Sequence, residues 1–542
     1  MKKIFLLILL AAFAAGCSSL METGPSDEVS KDEILKDADG MAVALDGIYA
    51  TMYNRIDFLS ANTHQTFGNM AVTLAAEVMG EDMVHTAQGA GWFWKDYTYE
   101  MRSRYTSNIW RSYFTWKYFY LLIGNANYIL SAASTVEGDA ARIKNLLAQA
   151  YAIRAFSYFG LIRSFQQTYK GHETLPGVPV YTEPTVNSSK GKGRGTVQDV
   201  YDRIDKDLDD ALSLFAESGL GQDDISHLDS CATWLLKARV ALVENDWAGA
   251  EKAASRAMAK PGCEMLSREG ATVVKGTFDD ATKKWATGQT PFNSADSPSV
   301  MWAMRIITDQ SRVFGSFWAH VDACTDVYYA AESPKCISNW LYSQIPDTDI
   351  RKGWWNGNIG KPRKDWKYGP NLDYNQFKFQ WKDQKTYTGD YIFMRKEEAC
   401  LIRAEALCRL KRYTEARAVL SSLGTLRDSG YAARLAALSD SDEQTFGSVG
   451  TVTTLLDEIL LQRRIELWGE AGRIWDIQRL GREWTRSWTV GTEPSNHTDL
   501  LSKYPEYMAF PSDYIECIMM IPQAEIDNNP AISASDQNPY KQ

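Results

Sequence analysis

A mainly α-helical fold is predicted, in which tetratricopeptide-like helical hairpins form a scaffold and a loop-rich, irregular region packs on it. Three features of the 542-residue sequence predict it. Apolar residues recur at the 3.6-residue spacing of amphipathic helices in several long segments. Two of these segments share one helix–turn–helix pattern. Between them the helical spacing fades, and Gly, Pro, Asn, Asp and Trp dominate.

The helical spacing begins near the N-terminus and recurs almost to the C-terminus. It predicts helical segments at about residues 32–53, 110–133, 140–165, 196–215, 231–258, 396–423 and 455–480.

Two of these segments repeat each other. They read "LLKARVALVENDWAGAEKAASRAM" and "LIRAEALCRLKRYTEARAVLSSL". In each, a helix with a small residue (Ala238 or Ala404) leads to an aromatic residue at a turn (Trp247 or Tyr413), and a second helix follows. Small residues let two helices approach closely, and the aromatic ring closes the pair. This arrangement is typical of tetratricopeptide-like hairpins.

The long non-helical stretch is predicted to be folded, because a structureless loop of that length is implausible inside a compact domain. Strand-like pieces such as "SVMWAMRI" occur within it. We therefore predict one domain over residues 31–542. Its helical scaffold covers about 31–262 and 391–542, and its irregular, ligand-facing region covers about 263–390. Binding surfaces tend to lie on loops that such a scaffold positions.

The N-terminus has the order of a secretory signal: two lysines, an apolar run and small residues, at residues 1–16. This run is too short to span a bilayer, which takes about 20 apolar residues. The cysteine that follows, in "AAGC", resembles the lipobox of bacterial lipoproteins. The resemblance implies that Cys17 is the lipidated N-terminus of the mature chain and that residues 17–30 are a polar tether. The alternative is an ordinary signal peptide with a chance cysteine.

Composition excludes some functions. The formal net charge is −10, which argues against a nucleic-acid partner because phosphate binding needs a basic face. No second long apolar segment follows the signal, so the mature chain is not expected to cross a membrane. The eight cysteines show no CxxC spacing, so neither a metal site nor a cofactor is predicted. A disulfide between Cys324 and Cys336 stays open, because the compartment lies outside the cytosol.

No catalytic motif was found. The six histidines form no HExxH pair, no GxSxG elbow occurs, and "GKGRG" lacks the GK[ST] ending of a phosphate loop. The protein is therefore predicted not to be an enzyme.

The segment "ILLQRRIELWGEAGRIWDIQRLGR" is both highly charged and highly apolar. Opposite charges three residues apart, such as Arg463 with Glu466 and Asp476 with Arg479, predict ion pairs along one helix. The apolar residues between them need burial. We interpret this helix as part of the scaffold rather than as a catalytic element.

This charged segment also resembles the C-terminal signature of the SusD/RagB family of Bacteroidetes nutrient-uptake lipoproteins. Gln462 and Ala471 depart from the signature, in which Glu and Gly are usual. Other motifs of the family follow in chain order: "GNANYIL", "QAYAIRAFSYFGLIRSF", "GVPVYTEP", "IRAEAL" and "MIPQAEIDNNPAI". The residues that match the signature are Arg463, Arg464, Glu466, Leu467, Glu470, Arg473, Asp476, Arg479 and Gly481.

The resemblance implies a location, a partner and a function. The protein would be lipid-anchored in the outer membrane and exposed at the cell surface. It would sit over a SusC-like TonB-dependent β-barrel and capture an oligosaccharide or polysaccharide for import. Three alternatives remain open: a peptide-binding subunit of the same type of importer, as in the RagB branch; a surface hydrolase; and a scaffold that binds only a protein partner.

Sugar rings stack their C–H faces on aromatic side chains, so ligand-binding residues are sought among Trp and Tyr on loops. The loop "GEDMVHTAQGAGWFWKDYTY" and the segment "VFGSFWAHVDACTDVYYAAE" qualify. The predicted ligand-binding residues are Asp82, Trp92, Trp94, Phe317, Trp318, Tyr328 and Tyr329.

Overall fold

A computed structural model gives the architecture. It describes residues 34–56, 62–86, 88–89, 91–100, 109–186, 188–279, 281–282, 284–324, 328–361, 371–497, 503 and 505–539. Cys17 and the segments 1–16 and 17–30 lie outside the described residues, so the predicted lipidation stays a prediction.

Helices dominate the described residues. In the first half of the chain they are α1 (Ala38–Tyr53), α2 (Asn69–Val78), α3 (Trp94–Tyr97), α4 (Trp110–Ser131), α5 (Ala140–Phe165), α6 (Val197–Ser218), α7 (Ser230–Glu244) and α8 (Trp247–Met258). In the second half they are α9 (Phe317–Val321), α10 (Tyr328–Glu332), α11 (Asn339–Ser343), α12 (Lys396–Arg409), α13 (Tyr413–Arg427), α14 (Tyr431–Ala436), α15 (Leu455–Glu466), α16 (Arg473–Leu480) and α17 (Gln523–Asn528).

The strands are short and pair two by two, each pair antiparallel. They are β1 (Met83–His85) with β5 (Lys335–Ile337), β2 (Thr277–Asp279) with β3 (Lys284–Ala286), β4 (Val300–Met304) with β6 (Tyr391–Arg395), β7 (Trp484–Thr485) with β10 (Ala509–Phe510), and β8 (Thr489–Val490) with β9 (Glu493–Pro494). The predicted mainly α-helical fold is confirmed.

Polar residues set the starts of the long helices. Asp139, Asp229 and Asp246 each cap the helix that follows, accepting a hydrogen bond from a backbone N–H of its first turn. Thr196 begins α6 with a capping box, in which its hydroxyl and the carboxylate of Asp199 bond each other's backbone N–H. These caps satisfy donors that a helix N-terminus otherwise leaves unpaired.

The two predicted hairpins are present. Helices α7 and α8 form one, α12 and α13 form the other, and α8 packs against α12 so that the two hairpins stack. Ala238 and Ala404 are fully buried where the helices approach. Both turns pass through one residue in the left-handed conformation, Asn245 at φ 61° and Lys411 at φ 61°.

The charged segment at 455–480 is not one helix, and this prediction was wrong. Helices α15 and α16 are separated by a turn in which Gly469 (φ 81°) and Gly472 (φ 73°) adopt the left-handed region. A Cβ added at Gly469 would come within 2.4 Å of the ring of Phe379. The turn brings Glu470 and Arg473 to different partners, so they do not pair with each other.

Most of the charged residues in this segment instead form ion pairs with residues in distant parts of the chain. The carboxylate of Glu466 contacts the guanidinium groups of Arg351, Arg395 and Arg427, at 3.2, 3.3 and 3.0 Å. Burial alone would raise the pKa of Glu466, but these three positive charges hold it far below its usual range. Of the predicted pairs named above, Asp476 with Arg479 forms, at 2.6 Å.

The irregular region is held by side chains that bond the backbone. The amide of Gln376 donates to the carbonyls of Val321 and Phe379, and the indole of Trp354 donates to the carbonyl of Ala271. Such bonds take the place of regular secondary structure in satisfying buried backbone groups. The strand pair β4–β6 connects this region to the start of α12.

Two further features bear on the sequence analysis. Cys324 is a free thiol, so the disulfide to Cys336 is not formed. None of the helices among the described residues has the length and apolarity that crossing a membrane would require.

Candidate functional site

The two loop segments selected from the sequence meet in one aromatic cluster. The indole of Trp92 lies 4.8 Å from the ring of Tyr329 and 3.7 Å from the imidazole of His64, centroid to centroid. Phe314 lies 5.6 Å from Tyr329. We call these four residues the Trp92 cluster.

Backbone geometry places Trp92 between two unusual residues. Gly91 (φ 85°) precedes it, and Phe93 (φ 62°) follows in the left-handed region, directly before α3. The backbone N–H of Phe93 donates to the side-chain oxygen of Gln65, at 2.8 Å, which fixes the turn. Trp92 stays half-buried and packs against the edge of the core, whereas Phe93 and Trp94 are buried within it.

The Trp92 cluster combines exposed rings with unused polar atoms. Phe314 is 51% exposed, Trp92 and His64 are half-buried, and Tyr329 is buried. Within the described part of the chain, neither Nε1 of Trp92 nor Nε2 of His64 has a hydrogen-bond partner. Protein atoms enclose both of these nitrogens, so the surface that the cluster presents to solvent is aromatic, with Phe314 as its most exposed ring.

The imidazole of His64 is uncharged at neutral pH. Burial, reinforced by the positive charge of Arg55, lowers the pKa of His64 to about 4. The cluster therefore presents no charge of its own, which suits a neutral ligand.

The other predicted binding residues lie in the interior. Trp94 is buried in α3, where its ring contacts His85 and Tyr97. Asp82 is buried and forms two hydrogen bonds with Arg464, at 2.6 and 2.9 Å. Neither side chain is therefore available to a ligand in this structure. The sequence could not show this, because its pattern does not distinguish a ring or carboxylate on an exposed loop from one that the fold buries.

Phe317 and Trp318 are also buried, in α9. The ring of Phe317 contacts Phe379, and the indole of Trp318 donates to the carbonyl of Gly389 at 2.8 Å. The side chain of Tyr328 lies outside the described residues. Of the seven predicted residues, the structure therefore brings Trp92 and Tyr329 together in the Trp92 cluster.

A second aromatic surface is an open groove of about 460 Å³ between α4, the loop before α6 and α17. We call it the Trp116 groove, and its aromatic residues are Tyr113, Trp116, Tyr120 and Tyr181. Several of its polar atoms already have partners in the protein. The indole of Trp116 donates to Glu525, and the hydroxyl of Tyr120 donates to the carbonyl of Pro179.

Sequence reasoning missed this groove, because aromatic residues at helical spacing were interpreted as core. The sequence does contain a signal for this groove. The aromatic residues of "WRSYFTWKYFY" are too numerous for one face of a helix, so they lie on all sides of α4. A helix buried on one face holds apolar residues in a single stripe. Rings outside that stripe must line another surface.

Among the described residues, no group of three or more His, Cys, Asp or Glu side chains is arranged to hold a metal ion.

Comparisons with known proteins identify the family. The family model described as "Starch-binding associating with outer membrane" matches residues 31–242, and the model described as "SusD family" matches residues 325–540. Together the two matches cover more than half of the chain. The chain belongs to the SusD/RagB family. Members of the SusD family bind glycans in nutrient uptake.

Individual relatives are distant in sequence. A SusD-like protein of Formosa agariphila is 23% identical over 403 residues, which cover 68% of this chain and 72% of that protein. A SusD-like carbohydrate binding protein from Bacteroides vulgatus has a similar solved structure, with a TM-score of 0.71 at 22% identity over 93% of this chain and 98% of that one. NanU of B. fragilis gives a TM-score of 0.63 at 15% identity, over 96% and 100%. These structural likenesses establish the SusD-like fold.

Proposed function

We propose that this SusD-family protein is a non-enzymatic, lipid-anchored surface protein that captures oligosaccharides at the Trp92 cluster. It then delivers them to a SusC-like TonB-dependent transporter in the outer membrane. The observation that carries the proposal is the Trp92 cluster itself, where rings from the two selected segments meet and Phe314 exposes 51% of its surface.

The chemistry of the cluster fits a sugar. The C–H faces of a pyranose ring stack on flat aromatic side chains, and Phe314 exposes 51% of its surface for such a contact.

The Trp116 groove is the weaker candidate for the same ligand. The indole of Trp116, the hydroxyl of Tyr120 and the carboxylate of Glu525 already bond within the protein. A sugar that bonded to these atoms would have to compete with those contacts.

Lipid anchoring explains the proposed location and transport role. The signature before Cys17 supports an acylated N-terminus, and several acyl chains give durable membrane attachment. A tether also raises the effective concentration of the capture protein beside the transporter.

The test is an affinity-gel screen of residues 18–542 against a panel of polysaccharides. Each positive is repeated with Phe314→Ala and Trp92→Ala, and with Ile307→Ala as a matched control, because Ile307 is 54% exposed and lies outside the cluster. We expect each cluster variant to weaken binding about five- to tenfold, since one stacked ring contributes on the order of 1 kcal/mol. Ile307→Ala should bind as the wild type does.

Two outcomes would count against the proposal. If Tyr181→Ala abolished retardation while the cluster variants retained it, the ligand would bind at the Trp116 groove. If no polysaccharide retarded the wild-type protein, calorimetry with short oligosaccharides and then peptides would follow, and binding of peptides alone would replace glycan capture by peptide capture.

A further inference from the structure

A small, partly enclosed cavity lies where α2, α4, α5, α7, α12, α15 and α16 meet. It offers about 60 Å³ of free space. One water molecule needs roughly 10–15 Å³ of such space, so the cavity has room for a small ion with a few waters but not for a sugar. Its lining is unusually rich in arginine: Arg163, Arg239, Arg463 and Arg479.

Acidic residues balance three of these arginines. Arg239 pairs with Glu398. Arg463 and Arg479 share the carboxylate of Asp476, at 2.7 and 2.6 Å. Arg479 also contacts Glu405, at 2.7 Å.

The remaining acidic residue of the lining does not balance Arg163. Glu470 lies 2.7 Å from Arg395 and 2.5 Å from Lys378, so two positive charges already neutralise it.

Arg163 carries a positive charge that forms no ion pair with any described acidic residue. Its guanidinium is held between the rings of Phe159 and Trp475, at 3.8 and 4.1 Å from their centroids. Its Nε donates to the carbonyl of Phe159, and no carboxylate of a described residue lies within ion-pair distance of it. Desolvation lowers the pKa of Arg163 to about 9, and the more distant carboxylates of Glu398 and Asp476 offset this only in part.

Two further N–H groups near the cavity are unpaired, but protein atoms enclose them and close them off from its free space. Among the described residues, neither Nη1 of Arg463 nor Nε1 of Trp475 has a hydrogen-bond partner. Arg463 is 7% exposed and Trp475 is 9% exposed, so bulk water does not satisfy them. Both residues line the same cavity as Arg163.

We propose that this cavity binds one small monovalent anion of halide size, chloride under physiological conditions. One uncompensated guanidinium supplies one positive charge, which a single monovalent anion neutralises. The guanidinium N–H groups of Arg163 supply the donors, because its two Nη atoms are not enclosed by protein and bond to no described residue, and an anion accepts from several N–H groups at once. A buried charge is costly unless it is paired, so the anion would stabilise the junction of the surrounding helices.

The first experiment is a crystal of the wild-type protein grown or soaked in sodium bromide, with data collected at the bromine absorption edge. An anomalous peak in the cavity is expected. The same peak should be absent from Arg163→Gln and present in Arg142→Gln, a control on the same helix in which the exposed guanidinium pairs with Asp39 at the surface. Density for water alone in the wild-type cavity, with no anomalous peak, would overturn the proposal.

A second experiment does not depend on crystals of the variant. Thermal midpoints are compared in sodium chloride and in sodium methanesulfonate, whose anion is too bulky for the cavity, at equal ionic strength. A ligand that binds only the folded state raises the midpoint, so the wild type and Arg142→Gln should melt higher in chloride by the same amount. Arg163→Gln should lose that difference. An unchanged difference in Arg163→Gln, or no difference in the wild type, would contradict the anion site.

Discussion

At the scale of single residues, the carboxylate of Glu466 compensates several buried positive charges. It lies between the guanidinium groups of Arg351, Arg395 and Arg427, all of them fully buried. Replacing Glu466 by Ala leaves positive charges in the interior without their anion. Removing one partner of a buried pair typically costs about 3–5 kcal/mol, and we expect at least this loss in the free energy of unfolding.

Urea unfolding measures the Glu466→Ala effect. The matched control is Glu415→Ala, which removes a carboxylate from an exposed pair with Arg412. Exposed pairs contribute about 0–1 kcal/mol, so the control should be nearly neutral. A similar small loss in both variants would show that the buried network carries no net stability.

The carboxyl group of Glu77 is expected to make the stability of the protein depend on pH. Its carboxylate is buried and accepts from the N–H groups of Ala471 and Gly472, at 3.0 and 2.6 Å. Burial outweighs these bonds and raises its pKa to about 7. The folded state therefore holds a proton that the unfolded state releases near pH 4–5. The stabilisation is complete below that pH and is lost as the pH rises to about 7.

Comparison with Glu77→Gln, which cannot titrate, isolates this contribution. Relative to that variant, the wild type should lose roughly 3 kcal/mol of unfolding free energy between about pH 4.5 and 7.5. Denaturant titrations at several pH values measure the difference. Glu269→Gln, at an exposed position, should run parallel to the wild type. A constant difference between wild type and Glu77→Gln over this range would contradict the raised pKa.

At the scale of elements, the two stacked hairpins differ at one turn position. Asn245 and Lys411 occupy the same left-handed position of their turns, both at φ 61°. Asn tolerates this conformation, whereas for most residues with a side chain it costs roughly 1–2 kcal/mol. We expect Lys411→Gly to stabilise the protein by about 1 kcal/mol, because Gly removes that strain at an exposed site.

The matched variant is Asn245→Gly in the other hairpin, which should change stability by less than about 0.5 kcal/mol. Thermal and urea unfolding of the two variants measure the contrast. Equal effects at both turns would show that the left-handed conformation does not limit stability at Lys411.

Elements with strong helical spacing could be predicted from the sequence. The predicted helix at 140–165 has the observed bounds of α5, and both hairpins were recognised from their small residues and turns. The break between α15 and α16 was missed, because the apolar spacing continues across it while Gly469 and Gly472 turn the backbone. Helix α2 was also missed.

The accessibility of the candidate rings was harder to predict, because burial on a loop depends on backbone direction. Trp92 and Trp94 are two residues apart, yet one joins an accessible cluster and the other is buried. The left-handed conformation of Phe93 between them separates their environments. No periodicity in the sequence indicates such a residue, so the sequence can suggest a candidate loop but cannot tell which of its rings is accessible.

At the scale of the whole molecule, buried contacts join the N-terminal part of the chain to its C-terminal part. Arg464 and Arg473, near the C-terminus, form ion pairs with Asp82 and Glu81, both at shortest distances of 2.6–2.7 Å. The guanidinium of Arg486 donates to the backbone carbonyls of Val78, Met79 and Gly80. These contacts join the residues matched by one family model to those matched by the other.

The predicted single domain at 31–542 can be tested through this coupling. Differential scanning calorimetry of residues 18–542 should show one transition whose calorimetric and van't Hoff enthalpies agree. The reason is that neither the N-terminal nor the C-terminal part can unfold without exposing the buried charges of the other. Arg464→Gln should lower the midpoint without splitting the transition, since it weakens the contact to Asp82 and leaves the other contacts in place. Arg142→Gln, which changes only an exposed pair, should leave the midpoint nearly unchanged. Two resolved transitions in the wild type would divide the chain into separately folding units and would contradict the single domain.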